Sequence, residues 1–161
     1  PPLLGAPGRV TRVVLGVGCL ALLVTPALMA VSQGQLNRSV NALKRGDCAQ
    51  AIDAGLESAK AMRSRPEPLQ VIGYCDSRLG EHDLAERVFR RATRVEPGNW
   101  QSWYGLALVR GAAGADPRPA AARALELNPR EPLARDAVRR FRTGDPRQWK
   151  RRALSARLPI L

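Results

Sequence analysis

Apolar side chains recur along most of this chain at the spacing of a helix turn, and the clearest run is LGEHDLAERVFRRATRVEPGN, Leu79 to Asn99. Ala85, Phe89 and Ala92 stand at i, i+4 and i+7, one stripe of an α-helix, while Arg87, Arg90, Arg91 and Arg94 fall mostly on other faces. Pro97 ends that helix and lets the chain turn back. The same period places Leu36, Val40 and Leu43 on one stripe, and Leu133, Ala137 and Phe141 on another. Alanine and leucine supply most of the apolar positions, so the pattern predicts an all-α chain.

The stretch VVLGVGCLALLVTPALMAV, Val13 to Val31, follows a different rule, with about 19 residues and no charge. A hydrocarbon core of roughly 30 Å needs about 20 such residues, which predicts a transmembrane helix over 13–31 behind a short flank at 1–12. Gly16, Gly18 and Pro26 are compatible with a span. A secretory signal peptide is the alternative, but its apolar region is shorter, about 7 to 15 residues, and closes on a small-residue cleavage site. Arg9 and Arg12 lie at the start of the run and SQGQ follows its end, so the positive-inside rule turns the long C-terminal part away from the cytoplasm. Only Gly34 separates the run from the Leu36 stripe, and the membrane helix is expected to continue into the next helix, holding the C-terminal helices close to the bilayer.

Beyond Ser32 the stripes repeat. A unit of about 34 residues runs from Pro66 to Asn99: Leu69, Ile72 and Gly73 in a first helix, Leu79 and Gly80 at its close, then Ala85, Phe89, Ala92 and Pro97. This order resembles a tetratricopeptide repeat, departing from it at Asp76, where that family usually carries tyrosine. A second unit over 100–131 offers Trp103, Leu106 and Ala107, then Gly114, Ala124, Asn128 and Pro129. Pro117 and Pro119 shorten its second helix, which should begin near Arg118. GDCAQA, Gly46 to Ala51, aligns with GEHDLA, Gly80 to Ala85, and gives a weaker unit over 32–65. The helix of residues 132–142 would cap the array. The resemblance implies a short α-solenoid of antiparallel helix pairs whose first helices line a concave face that takes a protein or peptide partner. On this resemblance the groove would present Glu67, Gln70, Tyr74, Ser77 and Arg78, with Gln101, Tyr104 and Leu108 from the next unit.

Charge changes this picture little. The chain of 161 residues carries a formal +12, but Lys44, Lys60 and Lys150 are its only lysines. Such an arginine bias, beside many Ala and Gly, reads as codon usage in a GC-rich genome and discounts nucleic acid as a partner. The basic tail, 143–161, places Arg147, Lys150, Arg151, Arg152 and Arg157 around Trp149, Ala153 and Ala156. That pattern suits either contact with anionic lipid or a solvating terminal helix.

Reactive chemistry is not indicated. His82 lies between Glu81 and Asp83 in a turn, in an order unlike the zinc arrangement H-E-x-x-H. GAAGADP lacks the Lys-Ser or Lys-Thr of a phosphate-cradling loop, and Asn37-Arg38-Ser39 matches a glycosylation acceptor by spacing alone. No catalytic set, cofactor or metal site is expected. Cys19 belongs to the apolar run, whereas Cys48 and Cys75 fall on elements that should pack together. They form either a disulfide contributing on the order of 3 kcal/mol or a pair of buried thiols. The chain begins on Pro1 rather than Met, which raises a second reading. The order of one span, a GDC-type unit and short helical repeats resembles the C-terminal tails of some O-antigen ligase or polymerase-like membrane proteins, whose glycan-transferring parts would lie upstream. The first reading remains a membrane-anchored, non-catalytic scaffold.

Overall fold

A computed structural model describes residues 8–142 and 144–159, with the side chains of residues 20–25 outside the described set. Helix α1 runs from Arg9 to Arg45, continuous through Pro26. It divides into two halves of different character. Every described side chain from Arg9 to Val31 is exposed, and burial begins at Ser32. Among the described residues no helix is long and apolar enough to cross a membrane. The run expected to do so, 13–31, includes the residues 20–25 whose side chains are not described.

The second half of α1 packs against α2, Cys48–Ala61. Small residues bring the two helices close. Ser58 Oγ donates to the carbonyl of Ser32 at 2.8 Å and Ser39 Oγ to that of Ala51 at 2.6 Å, so hydroxyls at this seam are satisfied across it. Asp47 caps α2 by accepting from the Gln50 amide.

Helices α3 (Glu67–Arg78) and α4 (His82–Val95) form the next pair, α5 (Trp100–Ala113) and α6 (Arg118–Leu127) the one after. Between α3 and α4 the chain turns through Gly80 at φ 86°, a left-handed conformation that disfavours a side chain. Phe89, fully buried, joins the two pairs. Its ring lies over Gly73 of α3 on one side and Gly105 of α5 on the other, where an added Cβ would sit 2.6 Å from the ring at Gly73 and closer still at Gly105. The stripe of Ala85, Phe89 and Ala92 thus packs between its own first helix and the next one, and all three are inaccessible to solvent.

Helix α6 begins at Arg118 because Pro117 cannot extend a helix backward, and Asp116 accepts from the Arg118 amide at 3.0 Å. The Arg118 side chain holds the Asp116 carboxyl down at about 2, although the pair is solvent-facing. Helix α7 (Pro132–Arg140) lies on α5 and α6 and carries Ala134 and Ala137 inward, followed by buried Phe141. Helix α8 (Pro146–Leu154) then returns to α5. The architecture is an all-helical, tetratricopeptide-like solenoid with helical elements at its end.

Candidate functional site

The second half of α1, α3 and α5 are neighbours and make one continuous face of the stack. Its first part is an open cleft of about 370 Å³ between α1 and α3. Leu36, Val40 and Val71 floor the cleft, while Gln33, Asn37, Asn41 and Glu67 rim it. The three amide side chains project from an exposed stripe of α1, and Gln33 Nε2 donates to Asn37 Oδ1 at 2.9 Å. Side-chain amides offer both donors and acceptors, the pairing an extended peptide backbone requires.

The part between α3 and α5 is covered by the chain's own C-terminal segment. Ala153 of α8 seats against Gly111, and Ala156 and Leu158 pack onto the core behind it. Tyr104 donates its hydroxyl to the carbonyl of Arg157 at 2.7 Å. Burial pushes that phenol up to about 12; Arg140 opposes the shift, and Asp136 and Glu131 add to it. Tyr74 lies edge-on to Phe89 with ring centroids 4.9 Å apart. Its hydroxyl is buried and has no hydrogen-bond partner among the described residues. Burial, with Tyr104 adding to it, raises the Tyr74 phenol well above its ordinary 10. A cavity of about 100 Å³ remains between Tyr74, Ser77 and Arg78 on one side and Ala153 to Leu158 on the other.

Reciprocal arginine contacts hold the returning segment. Arg140 Nη1 donates to the Arg152 carbonyl at 3.1 Å, and Arg152 Nη1 to the Arg140 carbonyl at 2.8 Å. Arg140 is itself braced by Asp136 at 2.7 Å. The Arg118 guanidinium stands 5.5 Å from the centre of the Trp149 ring, a cation–π arrangement.

These contacts correct several expectations. Gln70 does not line the groove: it is fully buried, and its Nε2 donates to Asn99 Oδ1 at 3.2 Å and Ser102 Oγ at 3.0 Å, tying α3 to the start of α5. The reason is that α3 sits in the middle of the stack, flanked by α1, α2, α4 and α5, and is buried from Pro68 to Asp76. Tyr74, Tyr104 and Leu108 do face the groove side but are buried under the C-terminal segment, whereas Gln101 is only half-buried. Arg78 is exposed, and its Nη1 donates to the Leu43 carbonyl at 3.1 Å, a second donor beside the Gly46 amide at the end of α1. In the tail, Arg147, Lys150 and Arg151 are exposed, but Trp149 and Ala153, the apolar edge a lipid surface would need, are turned into the protein.

Cys48 and Cys75 are buried free thiols rather than a disulfide. They share a hydrogen bond, and burial above all, with that bond and Cys48 contributing, pushes the Cys75 thiol far up. Among the described residues no group of three or more His, Cys, Asp or Glu is placed to hold a metal ion. The groove-filling role of Ala156, Arg157 and Leu158 was not readable from the sequence. Helical spacing marks Trp149, Ala153 and Ala156 as an apolar edge without saying which surface receives it.

No protein-family model matches the chain, and no curated protein is significantly similar in sequence. Solved structures are similar in fold. An O-GlcNAc transferase from Thermobaculum terrenum, in a mutant form, matches 69% of this chain at 25% identity and a TM-score of 0.64. The chain spans only 22% of that transferase's length, and the match falls in its helical repeats. The OM64 TPR domain from Arabidopsis matches 71% of this chain over 97% of its own, at 18% identity and a TM-score of 0.64. The first TPR of Spaghetti (RPAP3), solved with the HSP90 peptide SRMEEVD, matches 70% of this chain over 91% of its own, at 18% identity and a TM-score of 0.63. The fold of the chain is that of tetratricopeptide domains.

Proposed function

We propose that this chain is a non-catalytic scaffold that binds an extended peptide segment of a protein partner on the face made by α1, α3 and α5. The observation that carries the reading is the cleft between α1 and α3, where an apolar floor is rimmed by exposed amides. An extended peptide laid there would bury side chains on Leu36, Val40 and Val71 and pair its backbone with Gln33, Asn37 and Asn41. The neighbour solved with a peptide on a domain of the same fold supports this mode of use. The test is a peptide-display selection against the full chain. Enriched peptides should lose at least about tenfold in affinity, roughly 1.4 kcal/mol, when Asn37 and Asn41 are both replaced by alanine. Enriched peptides indifferent to those changes, or no enrichment at all, would overturn the reading.

The scaffold is held at a bilayer by the first half of α1, with its helical domain on the extracytoplasmic side. The uncharged run Val13–Val31 supports the anchor, as does the exposure of Val13, Val14, Leu15, Val17, Leu28, Met29 and Val31 on a half-helix that extends beyond the solenoid. Residues 13–31 of α1 measure roughly 28 Å at 1.5 Å per residue, close to the thickness of a hydrocarbon core. The chain should stay with membranes through alkaline carbonate washing. A Val17→Arg, Leu28→Arg double variant should not, since both charges enter the apolar run, where a charge costs about 2.5–3.5 kcal/mol at the helix centre and less toward the ends. Release of the unaltered chain by carbonate would remove the anchor, and protection of the helical domain from protease added outside intact cells would reverse its side.

A further inference from the structure

The α3–α5 half of the face is occupied, and the way it is occupied says what it takes. From Ser155 the chain leaves α8 and runs out along the groove. Ala156 and Leu158 are partly buried and pack on the core, whereas Ser155 and Arg157 are exposed. Outside the helix and its turn, residues 156–158 place Ala156 and Leu158 inward on either side of an outward Arg157, the side-chain order of an extended strand. Its backbone is read at one point, where Tyr104 donates to the Arg157 carbonyl. The fit is incomplete: the Tyr74 hydroxyl, buried in the same groove, is left without a hydrogen-bond partner among the described residues, beside a cavity of about 100 Å³. Buried hydroxyls are normally satisfied, and this one has unfilled space beside it on the side where the tail lies.

We infer that residues 153–159 are a displaceable internal ligand. They hold the α3–α5 groove in place of an extended peptide with small or aliphatic residues at alternate positions, whose backbone would accept from Tyr104 and from the now orphaned Tyr74. The segment starts at the last turn of α8, so it can leave while α7 keeps its place on α5 and α6. Partner binding along the whole face therefore competes with the tail. This rests on the reading of the face as a peptide site, but its test needs no partner.

The probe is a fluorescent peptide with the sequence of residues 152–159, titrated into the full chain. Unaltered protein, its groove filled, should bind weakly. An Ala156→Asp, Leu158→Asp variant, whose own segment is expelled, should bind at least about tenfold tighter, and adding Tyr104→Phe should take most of that gain away. A folded double variant that binds no better than the unaltered chain overturns the inference. Should the variant fail to fold, hydrogen exchange on the unaltered chain decides: amides of Ala156 to Leu158 exchanging through an opening far easier than global unfolding support it, and exchange only with global unfolding overturns it. Concentration-dependent dimers that dissociate when the segment is altered would place it in a second copy's groove and also overturn the internal assignment. If exchange succeeds while display enriches nothing dependent on the face, the partner reading alone falls.

Discussion

Phe89 shows how much of the array rests on single contacts. Its ring fills space that Gly73 and Gly105 leave by having no side chain, and it links two helix pairs. Gly105→Ala should cost roughly 1–3 kcal/mol by overpacking, because the ring is enclosed on both faces, and chemical denaturation would register the loss. A midpoint unchanged by that substitution would mean the ring has room the geometry denies it. Asp76 works the other way. Burial first, and then Glu81, raise its carboxyl above the ordinary 3.8, so the folded state favours the protonated form. That contribution is fully present below pH 3.8, is lost as pH rises through the folded value, and leaves a cost at neutral pH. Asp76→Asn should therefore raise stability at pH 7 by on the order of 1 kcal/mol and change little at pH 3. The departure at Asp76 from the tyrosine usual in tetratricopeptide repeats was visible in the sequence, but its energetic sign needed the burial. Cys48 and Cys75 should stay unreactive toward an aromatic disulfide reagent until the domain is unfolded, because both are buried and the Cys75 thiol is pushed far up. Rapid labelling of both in the native state would contradict their placement.

At the scale of elements, the helices were legible because their apolar stripes have the helical period and their ends carry proline or glycine. The short α6 was foreseen at Arg118 for this reason, and the stripe on α4 was assigned its neighbours correctly. The destination of α8 was not legible. An amphipathic edge specifies that something covers it, and the choice between lipid, solvent and α5 depends on Gly111 offering a flat seat, with α6 and α7 intervening in sequence. The same limit misplaced Gln70, since a helix with neighbours on several sides has no free polar face. The docking of the tail carries its own pH dependence. Tyr104 must stay neutral to donate to the Arg157 carbonyl, and its folded value is pushed up from 10 to about 12. Its contribution is fully present below pH 10 and lost as pH rises through about 12. Limited proteolysis within residues 150–159 should accelerate across that window, and Tyr104→Phe should accelerate it already at neutral pH. A rate independent of both would show that the hydroxyl does not hold the segment.

For the whole molecule, a long helix extends past the stack, and the face of α1, α3 and α5 is the proposed peptide site. The solenoid and its helical ends follow from the repeat, while the expected span over 13–31 rests on sequence and on the exposure of the described side chains of that half-helix. The most direct measurement is amide chemical-shift mapping of the full chain as a peptide selected against it is added. Shifts should concentrate on α1 beyond Ser32, on α3 and on α5, with residues 153–159 moving toward the positions of a free peptide. Shifts centred on α2, α4 and α6, with the tail undisturbed, would contradict the central claim.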